Sequence, residues 1–285
     1  MESVTTSSIF LEQESDFLLA VRELNSLIGL KAVKTEIERI INLAKVDVIR
    51  RRRGLQTTSM CFHMVFSGNP GTGKTTVARL LGRIFKGLGL LSKGHLVEVD
   101  RSSLCADYVG QTATKTQKVI QSALGGVLFI DEAYSLNART SSGTQDYGRE
   151  AVSTLLKEME DYREDLIVIV AGYMDLMDDF ISMNPGLESR FRFKIRFEDY
   201  SPEEMAMIFW SFCKRNGFGI TKEAYKRVQG IVFSFTPGKG QTFSNARLAR
   251  NLFEDAVMNQ AQRLSKIENP TDQDLCVLIS EDIGA

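Results

Sequence analysis

The residues with the clearest chemical meaning are Gly68-Asn69-Pro70-Gly71-Thr72-Gly73-Lys74-Thr75. Glycines at that spacing let a backbone curl until successive N–H groups face one concavity, which suits a phosphate. Lys74 adds a positive charge for terminal phosphates, and the Thr75 hydroxyl is a ligand for Mg²⁺. A turn that binds nothing has no use for Lys-Thr directly after its last glycine. A second feature is Asp131-Glu132, two carboxylates closing the apolar run 126–130. One acid can hold Mg²⁺ through water while its neighbour polarises an attacking water, so Asp131 is assigned to the metal and Glu132 to the water. Adjacent residues on an extended chain point to different sides, which separates the roles. Alone, such a pair reads as solvated loop residues; downstream of a phosphate loop it reads as catalytic.

Cations that could stabilise a transferring phosphoryl group stand in two places. Arg190, then Arg192, follow Asn184-Pro185-Gly186, and either could act on a neighbouring subunit. Ordinary surface arginines explain both equally well on composition. Arg247 lies near the start of a predicted helix opened by Asn245-Ala246 and could reach a γ-phosphate; apart from the larger pattern, Arg247 and Arg250 read as a solvated helix face. Tyr108 and Val109 sit beside Gly110 in a predicted loop that either packs inward or displays its aromatic to a partner; in isolation packing is favoured.

These groups need a scaffold to hold them. Residues 63–67 (Met64, Val65, Phe66) read as a buried strand, and from Thr76 onward Val77, Leu80, Leu81 and Ile84 fall at helical spacing. Strands are also predicted at 96–99, 126–130, 166–170 and, near a sheet edge, 193–197. Helices are predicted from Leu27-Ile28-Gly29-Leu30 to about Arg53, and over 114–123 and 150–161. Strands alternating with helices imply a parallel α/β sheet covered on both faces. Past Tyr200 the pattern becomes helical. Ser201, Pro202 and Glu204 read as cap, first helical position and capping-box partner, and helices follow over 203–215, 222–235 and 245–264, with 272–279 undecided. Three regions are therefore expected: a leader over 1–23, weakly helical at best and mobile; an α/β domain over 24–199; and a small all-helical domain over 200–285.

The formal net charge is −1, with 43% hydrophobic and 25% charged residues. That balance suits a globular chain and gives no pull toward nucleic acid or an anionic membrane. The run Arg50-Arg51-Arg52-Arg53 reads as a solvated helix end or a small contact for an acidic partner. Cys61, Cys105, Cys213 and Cys276 are scattered and only two histidines, His63 and His95, are present, so neither a zinc site nor a disulfide framework is expected. No signal peptide or membrane span is read, and a cytoplasmic location is expected.

In order and wording, these motifs resemble the AAA+ ATPases. Tyr108-Val109-Gly110-Gln111-Thr112-Ala113, Gly125-Gly126-Val127-Leu128-Phe129-Ile130-Asp131-Glu132-Ala133-Tyr134 and Ala171-Gly172-Tyr173 narrow the resemblance to the CbxX/CfxQ group, which includes red-type Rubisco activases and stage V sporulation protein K proteins. It covers about residues 24–265. The resemblance implies a P-loop fold with a helical lid, and ATP bound with Mg²⁺ by Asn69, Pro70, Gly71, Thr72, Gly73, Lys74, Thr75 and Thr76. It implies an adenine pocket at Leu27, Ile28 and Gly29. Tyr108 becomes a pore-loop aromatic with Val109 beside it, Arg190 a finger acting in trans, and Arg247 a second sensor. A homo-hexameric ring and a polypeptide client also follow. Where many AAA+ proteins carry Asn after the fourth strand, this chain has Ala171-Gly172-Tyr173, a departure that leaves Tyr173 as the candidate first sensor. The leading expectation is an ATP-driven remodelling motor. An ATP-gated switch with little turnover is the alternative, and a DNA-directed machine comes last.

Overall fold

The computed structural model describes residues 16–57, 60–106, 108, 110–137, 147–235 and 244–284. It divides into two compact units. One comprises the chain through Leu27, then Lys31–Gly68 and Lys74–Phe197; the other comprises Ile28–Leu30, Asn69–Gly73 and the chain from Glu198 onward.

In the first unit, helix α1 (residues 16–26) precedes α2 (Lys31–Arg52), β1 (Met64–Gly68), α3 (Lys74–Gly87), β2 (Leu96–Val99), the single turn α4 (Arg101–Leu104) and α5 (Thr112–Ala123). Then come β3 (Val127–Ile130), a 3₁₀ turn (Ala133–Asn137), α6 (Tyr147–Asp161), β4 (Ile167–Gly172), α7 (Met174–Ser182), α8 (Pro185–Arg190) and β5 (Phe193–Phe197). The five strands form one parallel sheet in the order β2-β3-β4-β1-β5, so β5 is the expected edge strand and β4 lies between β1 and β3. All of β3 and β4 is buried, as strands covered on both faces require.

Two local expectations change here. Of the weakly helical leader expected over 1–23, residues 1–15 lie outside the described residues; 16–26 is helical, and Asp16 and Glu23 pair with Arg83 of α3 at 2.8 and 2.6 Å. Two turns apart, they share a helix face, and their partner lies far along the sequence. The helix expected to open at Leu27 begins instead at Lys31, because Gly29 and Leu30 have φ of +64° and +57° and break it.

The second unit contains α9 (Pro202–Arg215), β6 (Gly219–Ile220), α10 (Lys222–Ser234), α11 (Ala246–Leu264), α12 (Asp272–Cys276), β7 (Val277–Leu278) and a 3₁₀ turn at Ser280–Asp282. Ser201 and Glu204 form the predicted capping box. The unit is helical with one addition: β6 and β7 pair in parallel, so the undecided segment 272–279 is a short helix followed by a strand. A two-residue strand is too short to leave a periodicity. Phe253 of α11 holds the core together, meeting the rings of Phe209, Phe212 and Phe218 at 5.8–6.2 Å. Among the described residues, no helix is long and apolar enough to cross a membrane.

Candidate active site

In the sheet unit, β1 delivers the chain to Gly68, where a Cβ would fall 2.3 Å from the Phe197 carbonyl oxygen; only glycine fits. After the loop, α3 starts at Lys74 with no acidic residue in its first turn, leaving its positive end available to an anion. The Lys74 ammonium donates to the Gly68 carbonyl at 2.8 Å, curled along its own loop. The Thr75 hydroxyl donates to Glu98 Oε1 on β2 at 3.2 Å, a carboxylate no spacing argument had singled out.

Asp131 and Glu132 leave the carboxyl end of β3. The Asp131 N–H is held by the Val99 carbonyl at 2.8 Å, and its carboxylate accepts the Glu132 N–H at 3.0 Å. Glu132 has φ +47°, a strained conformation for a residue with a side chain. This corrects the expectation of an extended acid pair: strand pairing ends at Ile130, and a turn, not the pleat of a strand, sets the directions of the two carboxylates. Glu132 is exposed on a cleft of about 640 Å³ that Asp100, Arg101, Lys115, Ser135 and Tyr147 also line.

Tyr173 follows β4, between the strands that carry the phosphate loop and the acid pair, and its ring meets that of Tyr134 at 6.0 Å. A Cβ at Gly172 would fall 2.6 Å from the Tyr134 ring, so that glycine makes room for it. Burial, then the negative charge of Glu132, pushes the Tyr134 phenol up to about 12 and keeps it a proton donor. Sequence reasoning had passed Tyr134 over.

Arg190 ends α8, which Asn184 caps by accepting the Gly186 N–H at 2.8 Å. Its guanidinium is 27% exposed and reaches Glu160 at 3.2 Å. Arg192 is exposed on the edge strand's approach. Tyr108 is 71% exposed, so the inward-packing reading of that loop does not hold. Val109 lies outside the described residues.

Thr76 lies in the first turn of α3, in the first unit, and the remaining predicted residues fall in the second. Gly71 and Gly73 have φ of +74° and +95°. A Cβ on Gly73 would stand 3.4 Å from the Tyr200 hydroxyl and 3.7 Å from Leu30, which puts the Ile28–Leu30 segment beside the phosphate loop. Ile28 packs on the helical core, and the start of α11 touches the loop, the Ala246 N–H meeting the Gly71 carbonyl at 3.1 Å. Arg247, one residue on, is exposed.

Comparison with known proteins gives the family. The profile of the ATPase family associated with various cellular activities (AAA) matches residues 64–199, and an AAA lid profile matches 201–285. Stage V sporulation protein K of Bacillus subtilis is 40% identical over 264 residues, 92% of this chain and 81% of its own. The chloroplastic Rubisco activase of Cyanidioschyzon merolae is 43% identical over 90% of this chain and 87% of its own. CbbX of Cereibacter sphaeroides is 42% identical over 91% and 83%. The chain belongs to the AAA ATPases. Its fold also matches the FIGL-1 AAA domain solved with ADP, at TM-score 0.61 and 19% identity over 90% of this chain and 80% of that one.

An AAA ATPase binds and hydrolyses ATP, and the residues present fit the nucleotide: glycines in left-handed conformations, a helix start without acids, and a lysine on the loop. They fit Mg²⁺ as well. The Thr75 hydroxyl at the start of α3 and the Asp131 carboxylate after β3 are hard oxygen donors of the kind this ion takes, with phosphates and water to complete its shell.

Proposed function

We propose that this ATPase works as a homo-hexameric motor that remodels a polypeptide client in the cytoplasm. Tyr108 carries the reading: a large aromatic, 71% exposed beside a glycine, has the form of a gripping loop and not of a core residue. Val109 is proposed to stand beside it. No disulfide joins Cys61, Cys105, Cys213 or Cys276, in keeping with a reducing compartment.

In the reaction, the backbone of Asn69–Gly73 with Lys74 and Thr76 binds the phosphates, and Ile28 and Gly29 bind the adenine. Mg²⁺ held by Thr75 and Asp131 would neutralise charge on the transferring phosphoryl group. Glu132 orients the attacking water and accepts its proton as the terminal phosphate leaves ADP. Tyr173 serves as first sensor, Arg247 as second sensor, and Arg190 acts on the neighbouring subunit's nucleotide.

The names of the relatives make inhibited Rubisco the first client to try. Tyr108→Ala should lose carboxylase reactivation and the rise in ATP turnover that a client causes, both compared with wild type in one assay series. A variant that remodels its client as well as wild type removes the loop from this role.

A further inference from the structure

Asn245 occupies the cap position of α11, yet its side chain makes no bond to that helix. It is 0% exposed, with φ +49° and ψ −127°, a conformation that strains any residue but glycine. Such strain persists where the side chain is needed elsewhere. Asn245 Oδ1 accepts the Tyr200 N–H at 2.8 Å, and Nδ2 donates to the Asp199 carboxylate at 2.7 Å and to the Pro70 carbonyl at 3.3 Å. The Ala246 N–H donates to the Gly71 carbonyl at 3.1 Å, and the Tyr200 hydroxyl to the Thr72 carbonyl at 3.2 Å.

Three successive carbonyls of the phosphate loop therefore each receive a donor from the lid. Described peptide bonds are all trans, and a trans peptide points its N–H opposite its C=O. Fixing the carbonyls of Pro70, Gly71 and Thr72 thus turns the N–H groups of Gly71, Thr72 and Gly73 away from those donors. Asp199 adds a tie by accepting the Asn69 amide at 2.9 Å. No room exists for slack: a Cβ on Gly71 would lie 2.2 Å from the Ser244 carbonyl oxygen. Burial, then Glu204, pushes the Tyr200 phenol up to about 12, so the hydroxyl remains a donor across the physiological range.

Resting on the reading of Asn69–Thr76 as the phosphate site, we infer that Asn245, Tyr200 and the Ala246 N–H form a carbonyl clamp that aims the loop's amides at the nucleotide. Asn245 and Tyr200 are then positioning residues for phosphate recognition, separate from the role of Arg247. The test compares ADP with AMP by calorimetry on the full chain. Asn245→Gly relieves the backbone strain while removing the clamp, and Tyr200→Phe deletes one hydroxyl. ADP affinity should fall about tenfold in the first and about threefold in the second, from the hydrogen bonds lost. AMP, which lacks the outer phosphate, should weaken less than ADP in both. Equal losses for the two ligands, or none for ADP, would overturn the clamp. If Asn245→Gly does not fold, Tyr200→Phe decides alone. Wild-type protein that binds neither ligand would instead overturn the nucleotide reading. Amide exchange at Ala246 then still judges the clamp, being faster in Tyr200→Phe if it exists and unchanged if it does not.

Discussion

Among the described residues, the non-glycine positions with left-handed φ are Leu30, Glu132 and Asn245. Each falls in a segment assigned to the nucleotide, which is where stored backbone strain is expected to collect. Glu132 is the sharpest case. An exposed carboxylate on a strained turn is poorly explained by packing and well explained by a need to aim at water. Glu132→Gln keeps the shape and removes the base, so it should retain ATP binding and lose hydrolysis by about 10² or more. A fluorescent-nucleotide titration beside a phosphate-release assay reads both quantities. Turnover near the wild-type rate would take Glu132 out of this role.

At the scale of elements, the ion pairs differ in weight according to their burial. Arg263 of α11 grips Asp282 through two bonds of 2.8 and 2.9 Å, and Asp282 is 1% exposed. Removing the cation leaves a buried charge unpaired, so Arg263→Ala should cost about 3 kcal/mol. Arg250 pairs with Glu254 on the exposed face of the same helix at 3.0 Å, and Arg250→Ala should cost about 0.5 kcal/mol or less. Urea unfolding followed by circular dichroism compares the two. Equal losses would mean that the second unit does not rely on the α11 contact to its C-terminal turn. The Arg190–Glu160 pair resembles the weak class: both side chains keep solvent contact, and Arg163 competes for the same carboxylate at 2.8 Å. Little free energy holds Arg190 at Glu160.

For the whole molecule, that weak hold gives the ring proposal its most direct test. An arginine that leaves Glu160 to serve a neighbour makes each subunit's activity depend on the one beside it. In an equal mixture of wild-type and Arg190→Ala chains, ATPase activity should therefore fall well below half of the wild-type value. Turnover measured across a mixing series reads this directly. Activity falling in strict proportion to dilution would place the function of Arg190 within its own chain. Head-to-tail contacts closing a ring are the arrangement in which donation in trans repeats for every subunit.

How much was legible in the sequence follows from the range of the forces involved. The alternation of strands and helices, the glycines before Lys74, the carboxylates after β3 and the Ser201 capping box depend on neighbours a few residues away, and such local rules are written into the chain. The position of β4 between β1 and β3, the ties from Arg83 to Asp16 and Glu23, and the pairing of β6 with β7 depend on residues far apart in sequence; only packing could settle them. Asn245 shows the divide within one residue. The sequence places it at the opening of a helix, and the folded chain gives its amide the Pro70 carbonyl and the Asp199 carboxylate. A buried amide bonds to the partners the fold brings within reach, and spacing along the chain does not record which those are.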